Sequence, residues 1–81
     1  MKQFVYLISP DKIYPDFYKD LDKVLFSQKV SFFQLRLKKT PKNLVTKIAK
    51  KIKKITRKYK VKLVINDDSK LAKKVYADGC H

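Results

Sequence analysis

Apolar residues fall along this chain in two rhythms, short runs of strand type and longer stretches at helical spacing, and their order predicts the architecture. Phe4-Val5-Tyr6-Leu7-Ile8 is apolar on both alternating faces and stops at Ser9-Pro10-Asp11. Such a run predicts a strand buried on both sides, as in parallel sheets. Pro15, with its fixed φ, suits a first helical position. After it Phe17, Leu21, Val24 and Leu25 recur at helical spacing, while Asp16, Lys19, Asp20, Asp22 and Lys23 take the other face. Val30 to Leu37 reads as a second strand, followed by Thr40-Pro41 as an N-cap and a first helical proline. Leu44, Ile48, Ile52, Ile55 and Tyr59 then step by three or four, and lysines fill the positions between. Val61 to Ile65 reads as a third strand, closed by Asn66-Asp67-Asp68. Asp68 or Ser69 can cap a short helix through Leu71, Ala72 and Val75, and Asp78-Gly79 then turns the chain into a strand that Cys80-His81 begins. The order is βαβαβα(β). Right-handed crossovers make this a parallel α/β sheet that keeps its ligands at the carboxyl ends of the strands.

Length and composition bound what such a sheet can be. With 81 residues and no linker or low-complexity tract, residues 1–81 form a single domain at most. A hydrophobic share of 44% excludes a disordered tail. The net charge of +14 makes nucleic acid or an anionic membrane an obvious partner. Against this, only Arg36 and Arg57 supply a guanidinium among the 21 basic residues, and phosphate and base readers lean on that forked donor. The basic helix, Lys47 to Lys58, is read as an outer helix whose lysines face water, because its apolar stripe already needs a sheet to cover it. A small Lys-rich nucleic-acid-binding module is the rival from a different class, although nucleic acid is an unlikely partner on this composition. The one cysteine asks for no oxidising compartment, and no apolar run approaches the length of a membrane span or signal core. A cytoplasmic location is expected.

Candidate chemistry gathers where two strands end. Side chains alternate along an extended strand, so Gln34, Arg36 and Lys38 share one face while Phe33, Leu35 and Leu37 share the other. Burying an unpaired cation would cost several kcal/mol, roughly, so the polar set calls for an anionic partner or open solvent. A diphosphate satisfies both cations, Arg36 by a forked pair of hydrogen bonds and Lys38 as a point charge. Gln34 suits the edge of a heterocycle. Asn66 can hold a phosphate or ring nitrogen, and Asp67 offers a hard oxygen of the kind Mg²⁺ takes alongside water and substrate phosphate. The competing readings are an edge strand with a solvated polar face, and a loop built on an Asx turn.

These clusters resemble a known family. Gln34-Leu35-Arg36-Leu37-Lys38 resembles the Q-x-R-x-K strand end of thiamine-phosphate synthases, Asn66-Asp67 resembles their N-D pair, and Ala77-Asp78-Gly79-Cys80-His81 resembles their A-D-G-x-H. Tyr6-Leu7-Ile8 is similar to the family's first strand. The resemblance implies the N-terminal part of a TIM (β/α)8 barrel. It implies a transferase of thiamine biosynthesis, coupling a hydroxymethylpyrimidine diphosphate to a thiazole phosphate with release of pyrophosphate. It assigns Gln34, Arg36, Lys38 and Asn66 to substrate, Asp67 to Mg²⁺, and no side chain to a catalytic role. A thiazole tautomerase-like member of the same superfamily is the nearest alternative. Leu37 stands where the family commonly has Glu. Barrels of this kind need roughly 200 residues or more, so 81 residues are expected to form a partial domain that is inactive in isolation. Its unpaired sheet edges would invite self-association or a complementing chain.

Overall fold

Strands and helices alternate in a computed structural model of the chain, which describes residues 5–66 and 68–80. The order is β1 (Tyr6–Ile8), α1 (Phe17–Ser27), β2 (Phe32–Leu35), α2 (Lys42–Lys58), β3 (Lys62–Ile65), α3 (Ser69–Lys74) and β4 (Gly79–Cys80). The strands form one parallel sheet in the order β1-β2-β3-β4, with Ile8, Gln34, Val64 and Gly79 in one row. No cis peptide bond occurs among the described residues.

The pleat sorts the side chains. Phe33, Leu35, Leu63 and Ile65 point to the helices and form one buried cluster with Phe17, Leu21 and Leu25 of α1 and Ile48, Ala49 and Ile52 of α2. Of the apolar positions read at helical spacing, Phe17, Leu21, Leu25, Ile48 and Ile52 are buried and Ile55 and Tyr59 pack partly against them, whereas Val24 and Leu44 are exposed. Most cations of α2 lie on its solvent side, where Lys47, Lys50, Lys51, Lys54, Arg57 and Lys58 are all exposed.

The other sheet face is open, which corrects the expectation that the first strand is buried on both sides. Tyr6 is 46% and Ile8 53% exposed. β1 is an edge strand, and no helix covers this side of it among the described residues. Tyr6 stacks on Phe32 across the strands, with ring centroids 5.4 Å apart. Phe4, the first residue of the expected run, lies outside the described residues.

Two helix boundaries also differ from expectation. Pro41 is the N-cap of α2 rather than its first residue, and Thr40 donates its hydroxyl to the Lys38 carbonyl. Pro15 precedes α1, whose N-cap is Asp16. At the other ends, α2 and α3 close with the chain in the left-handed region at Lys60 (φ 57) and Tyr76 (φ 56). Val61 N–H reaches back to Thr56 O and Ala77 N–H to Ala72 O, each at 2.8 Å, the six-to-one bond of a glycine-type cap built without glycine. Lys60→Gly is expected to raise stability by about 0.5–1 kcal/mol, since glycine adopts this φ without steric cost. Thermal melting checks it.

β4 is pinned to β3 by Asp78, whose carboxylate accepts from Leu63 N–H at 2.8 Å and Lys53 Nζ at 3.2 Å. Burial disfavours the Asp78 carboxylate, but the Leu63 N–H and the Lys53 ammonium outweigh it and hold the group below its ordinary range. The hydrogen bond from Tyr59 and the Lys58 ammonium do the same for Asp22, tying α1 to α2. A carboxyl depressed in the folded state contributes stability that is fully present above the unfolded value and is lost as pH falls through the folded one. Stability should therefore decline below about pH 4, and Asp78→Asn should flatten that acid limb in melts recorded from pH 6 to pH 2.5.

Candidate functional site at the carboxyl rim of the sheet

β2 is an interior strand, flanked by β1 and β3, and its carboxyl end meets theirs at one rim. Gln34 lies on the open face and is only 6% exposed. Its Nε2 donates to Asn66 Oδ1 at 2.9 Å, so two candidates 32 positions apart in sequence form one pair. The bond fixes Gln34 with Oε1 left as an acceptor. Asn66 is itself held by its N–H to Leu35 O at 3.1 Å, which carries the β3–β2 ladder one residue past β3.

β2 ends at Leu35, so Arg36 and Leu37 lie beyond the strand, contrary to the expected run to Leu37, and Lys38 follows in the same loop. Arg36 is exposed, and its guanidinium makes no ion pair among the described residues. Lys38 leans on Asp11, with Nζ 3.6 Å from Oδ2 and both side chains 61% exposed. So open an ion pair is screened and weak, and an incoming phosphate can replace its carboxylate. Leu37 packs partly against the core, on the helix side as expected.

The loop after β1 proves to be part of this rim. Ser9 N–H donates to Gln34 O at 2.9 Å, Arg36 N–H to Ser9 Oγ at 2.8 Å, and Lys38 N–H to Asp11 O at 3.1 Å. In the sequence, Ser9-Pro10-Asp11 reads only as a strand stop. A serine directly before the proline, on a strand predicted to adjoin the polar one, was the available signal.

Asp67 lies outside the described residues. Its neighbours are Asn66, at the rim, and Asp68, whose Oδ1 accepts from Leu71 N–H at 2.9 Å and caps α3 as expected. The Asp68 carboxylate is thereby engaged as a helix cap. Among the described residues no three His, Cys, Asp or Glu side chains cluster as a metal site. A cavity of about 200 Å³ opens nearby between Leu35, Lys42, Ile65, Asn66 and Asp68. It lies on the helix side, so Gln34, Arg36 and Lys38 do not line it. Cys80 is exposed, and His81 lies outside the described residues. No helix among the described residues is long and apolar enough to cross a membrane.

A parallel sheet in sequential strand order, helices on one face and amides and cations at its carboxyl rim, is the architecture of the opening part of a (β/α)8 barrel. The chain belongs to the thiamine monophosphate synthase family, whose pattern it matches over residues 5–81. It is 65% identical to the thiamine-phosphate synthase of Pelagibacter ubique over 82 aligned residues, covering 99% of this chain and 39% of that protein. It is 31% identical to the thiamine-phosphate synthase of Thermoplasma acidophilum, covering 95% of this chain and 36% of that one. The fold superposes on thiamine phosphate pyrophosphorylase from Pyrococcus furiosus with a TM-score of 0.82 at 25% identity, over 95% of this chain and 37% of its counterpart. The chain therefore spans well under half the length of these relatives.

Proposed function

We propose that this chain carries the pyrimidine diphosphate half of a thiamine-phosphate synthase site. The observation that carries the reading is the Gln34–Asn66 hydrogen bond at the rim, with Arg36 exposed beyond it. Gln34 Oε1 accepts from an exocyclic amine of the pyrimidine. Arg36 grips the diphosphate through a forked pair of bonds, and Lys38 exchanges the Asp11 carboxylate for a phosphate oxygen. Asp67 is the residue that would hold Mg²⁺, and that ion would supply neutralisation of the charge on departing pyrophosphate. In the reaction the bond from the pyrimidine methylene to the diphosphate oxygen breaks, and one from that carbon to the thiazole nitrogen forms. Arg36 and Lys38 lower the barrier by stabilising the charge that grows on the leaving oxygen.

The open sheet face and the β1 and β4 edges are the surfaces on which further strands of such a barrel, or a complementing chain, would close. Small molecules are the partners of the site, and a cytoplasmic location fits a soluble substrate pair. In isothermal titration with hydroxymethylpyrimidine diphosphate, the chain should bind in the presence of Mg²⁺ and several-fold more weakly without it. Asp67→Ala should abolish the difference. Binding that ignores both Mg²⁺ and Asp67 would remove the metal from this reading.

A further inference from the structure

We propose that Ser9 is a positioning residue of the diphosphate site, its hydroxyl extending the β1–β2 ladder past the strands and fixing the backbone that carries Arg36. The inference rests on the function proposed above and deepens it.

In a parallel ladder a residue gives its N–H to a carbonyl of the next strand and takes the N–H two residues further on with its own carbonyl. Ser9 does the first with Gln34 O, at 2.9 Å. The second bond is changed. Arg36 N–H goes to Ser9 Oγ at 2.8 Å, a side-chain acceptor standing where a backbone carbonyl would serve. Pro10 follows, and the chain leaves the sheet there, so an acceptor on a one-carbon stem continues the ladder where the backbone no longer can.

The position of the anion-binding residues makes this consequential. β2 ends at Leu35, so no regular strand pairing holds Arg36 or Lys38. Their backbone is held instead by the β1–α1 loop, through Ser9 Oγ to Arg36 and Asp11 O to Lys38. Ser9 is 7% exposed, so it is shielded from the water that would otherwise compete for the Arg36 N–H. By contrast the Lys38–Asp11 ion pair is open to solvent and adds little rigidity. Removing the hydroxyl leaves a partly buried N–H without its acceptor and lets the Arg36 backbone sample other orientations. A forked guanidinium contact is intolerant of that freedom.

The test is a double-mutant cycle read by calorimetric titration with inorganic pyrophosphate and Mg²⁺, well below the melting temperature of each variant. Ser9→Ala is expected to weaken binding about five- to tenfold, the loss that follows one unmet partly buried hydrogen bond. In an Arg36→Ala background the same change should cost less than about twofold, because Ser9 acts through Arg36. A merely structural serine would cost the same in both backgrounds, and that result would overturn the proposal. Ser9→Thr and Ser9→Val form a second pair of near-equal volume that differs by the hydroxyl. Threonine should bind at least about fivefold more tightly than valine, and equal affinities would also overturn it. If the unaltered chain fails to bind pyrophosphate, the reading of the site falls and this inference with it. If it binds and the variants do not differ, only the role of Ser9 falls.

Discussion

Arg36→Ala is expected to lower affinity for the pyrimidine diphosphate by about ten- to a hundredfold, the range for losing a charge-assisted, forked pair of hydrogen bonds. The size follows from where Arg36 sits. Its backbone is tied down through Ser9, its guanidinium is exposed and forms no ion pair among the described residues, and Gln34 and Asn66 fix the adjoining end of the site. Among the described residues there is therefore no carboxylate for a ligand to displace from Arg36. Arg36→Lys should recover part of the loss, since it restores the charge and not the fork. Lys54→Ala removes one charge from the outer face of α2 and should leave affinity unchanged within about twofold, because an exposed charge far from a site is screened by salt. Calorimetry at fixed ionic strength checks all three. Equal losses at Arg36 and Lys54 would mean that the affinity is a property of the net charge of +14 rather than of the rim.

Phe33→Ala should have the largest effect on stability, a loss of about 3–5 kcal/mol from a deleted core aromatic and the cavity it leaves. Phe33 is 1% exposed, lies on the helix face of β2 and meets Phe17 of α1 with ring centroids 6.1 Å apart. A chain of 81 residues has a total stability of only about 4–12 kcal/mol, so the loss takes much or all of it. The melting temperature should fall by at least about 12 °C or the cooperative transition should vanish. Phe32→Ala, one residue away on the half-open face, should cost much less. Comparable losses from the two would contradict the assignment of helices to one side of the sheet.

The order of elements and the packed faces were legible in the sequence because they are set by periodicity, and periodicity is local. Phe17, Leu21 and Leu25, or Ile48 and Ile52, repeat at the spacing of a helix and are buried as a group. Strand ends were less legible. Alternation runs on through Arg36 and Leu37, yet β2 stops at Leu35, because the later residues find their partners in a loop rather than in a strand. Helix stops were hidden for a related reason: the usual glycine is absent, and Lys60 and Tyr76 take up its conformation.

The candidate site divides in the same way. Residue chemistry and alternation were enough to single out Gln34, Arg36, Lys38 and Asn66, and the fold brings their four chain positions to one rim. The contact between Gln34 and Asn66 depends on the register of β2 against β3, in which Gln34 pairs with Val64. No local pattern encodes that register. Ser9 and Asp11 depend on the register of β1 against β2 in the same manner. The structural task of Asp78, bonded to Leu63 and Lys53, lies inside a motif that resemblance picks out without explaining.

The most direct test of the central claim is a titration of the isotopically labelled chain with hydroxymethylpyrimidine diphosphate and Mg²⁺, followed by backbone amide resonances. The account predicts that the shifts concentrate on Ser9, on Gln34 to Lys38 and on Asn66, with the outer face of α2 unmoved. Shifts centred on Lys47, Lys50 and Lys54, with the rim silent, would contradict it.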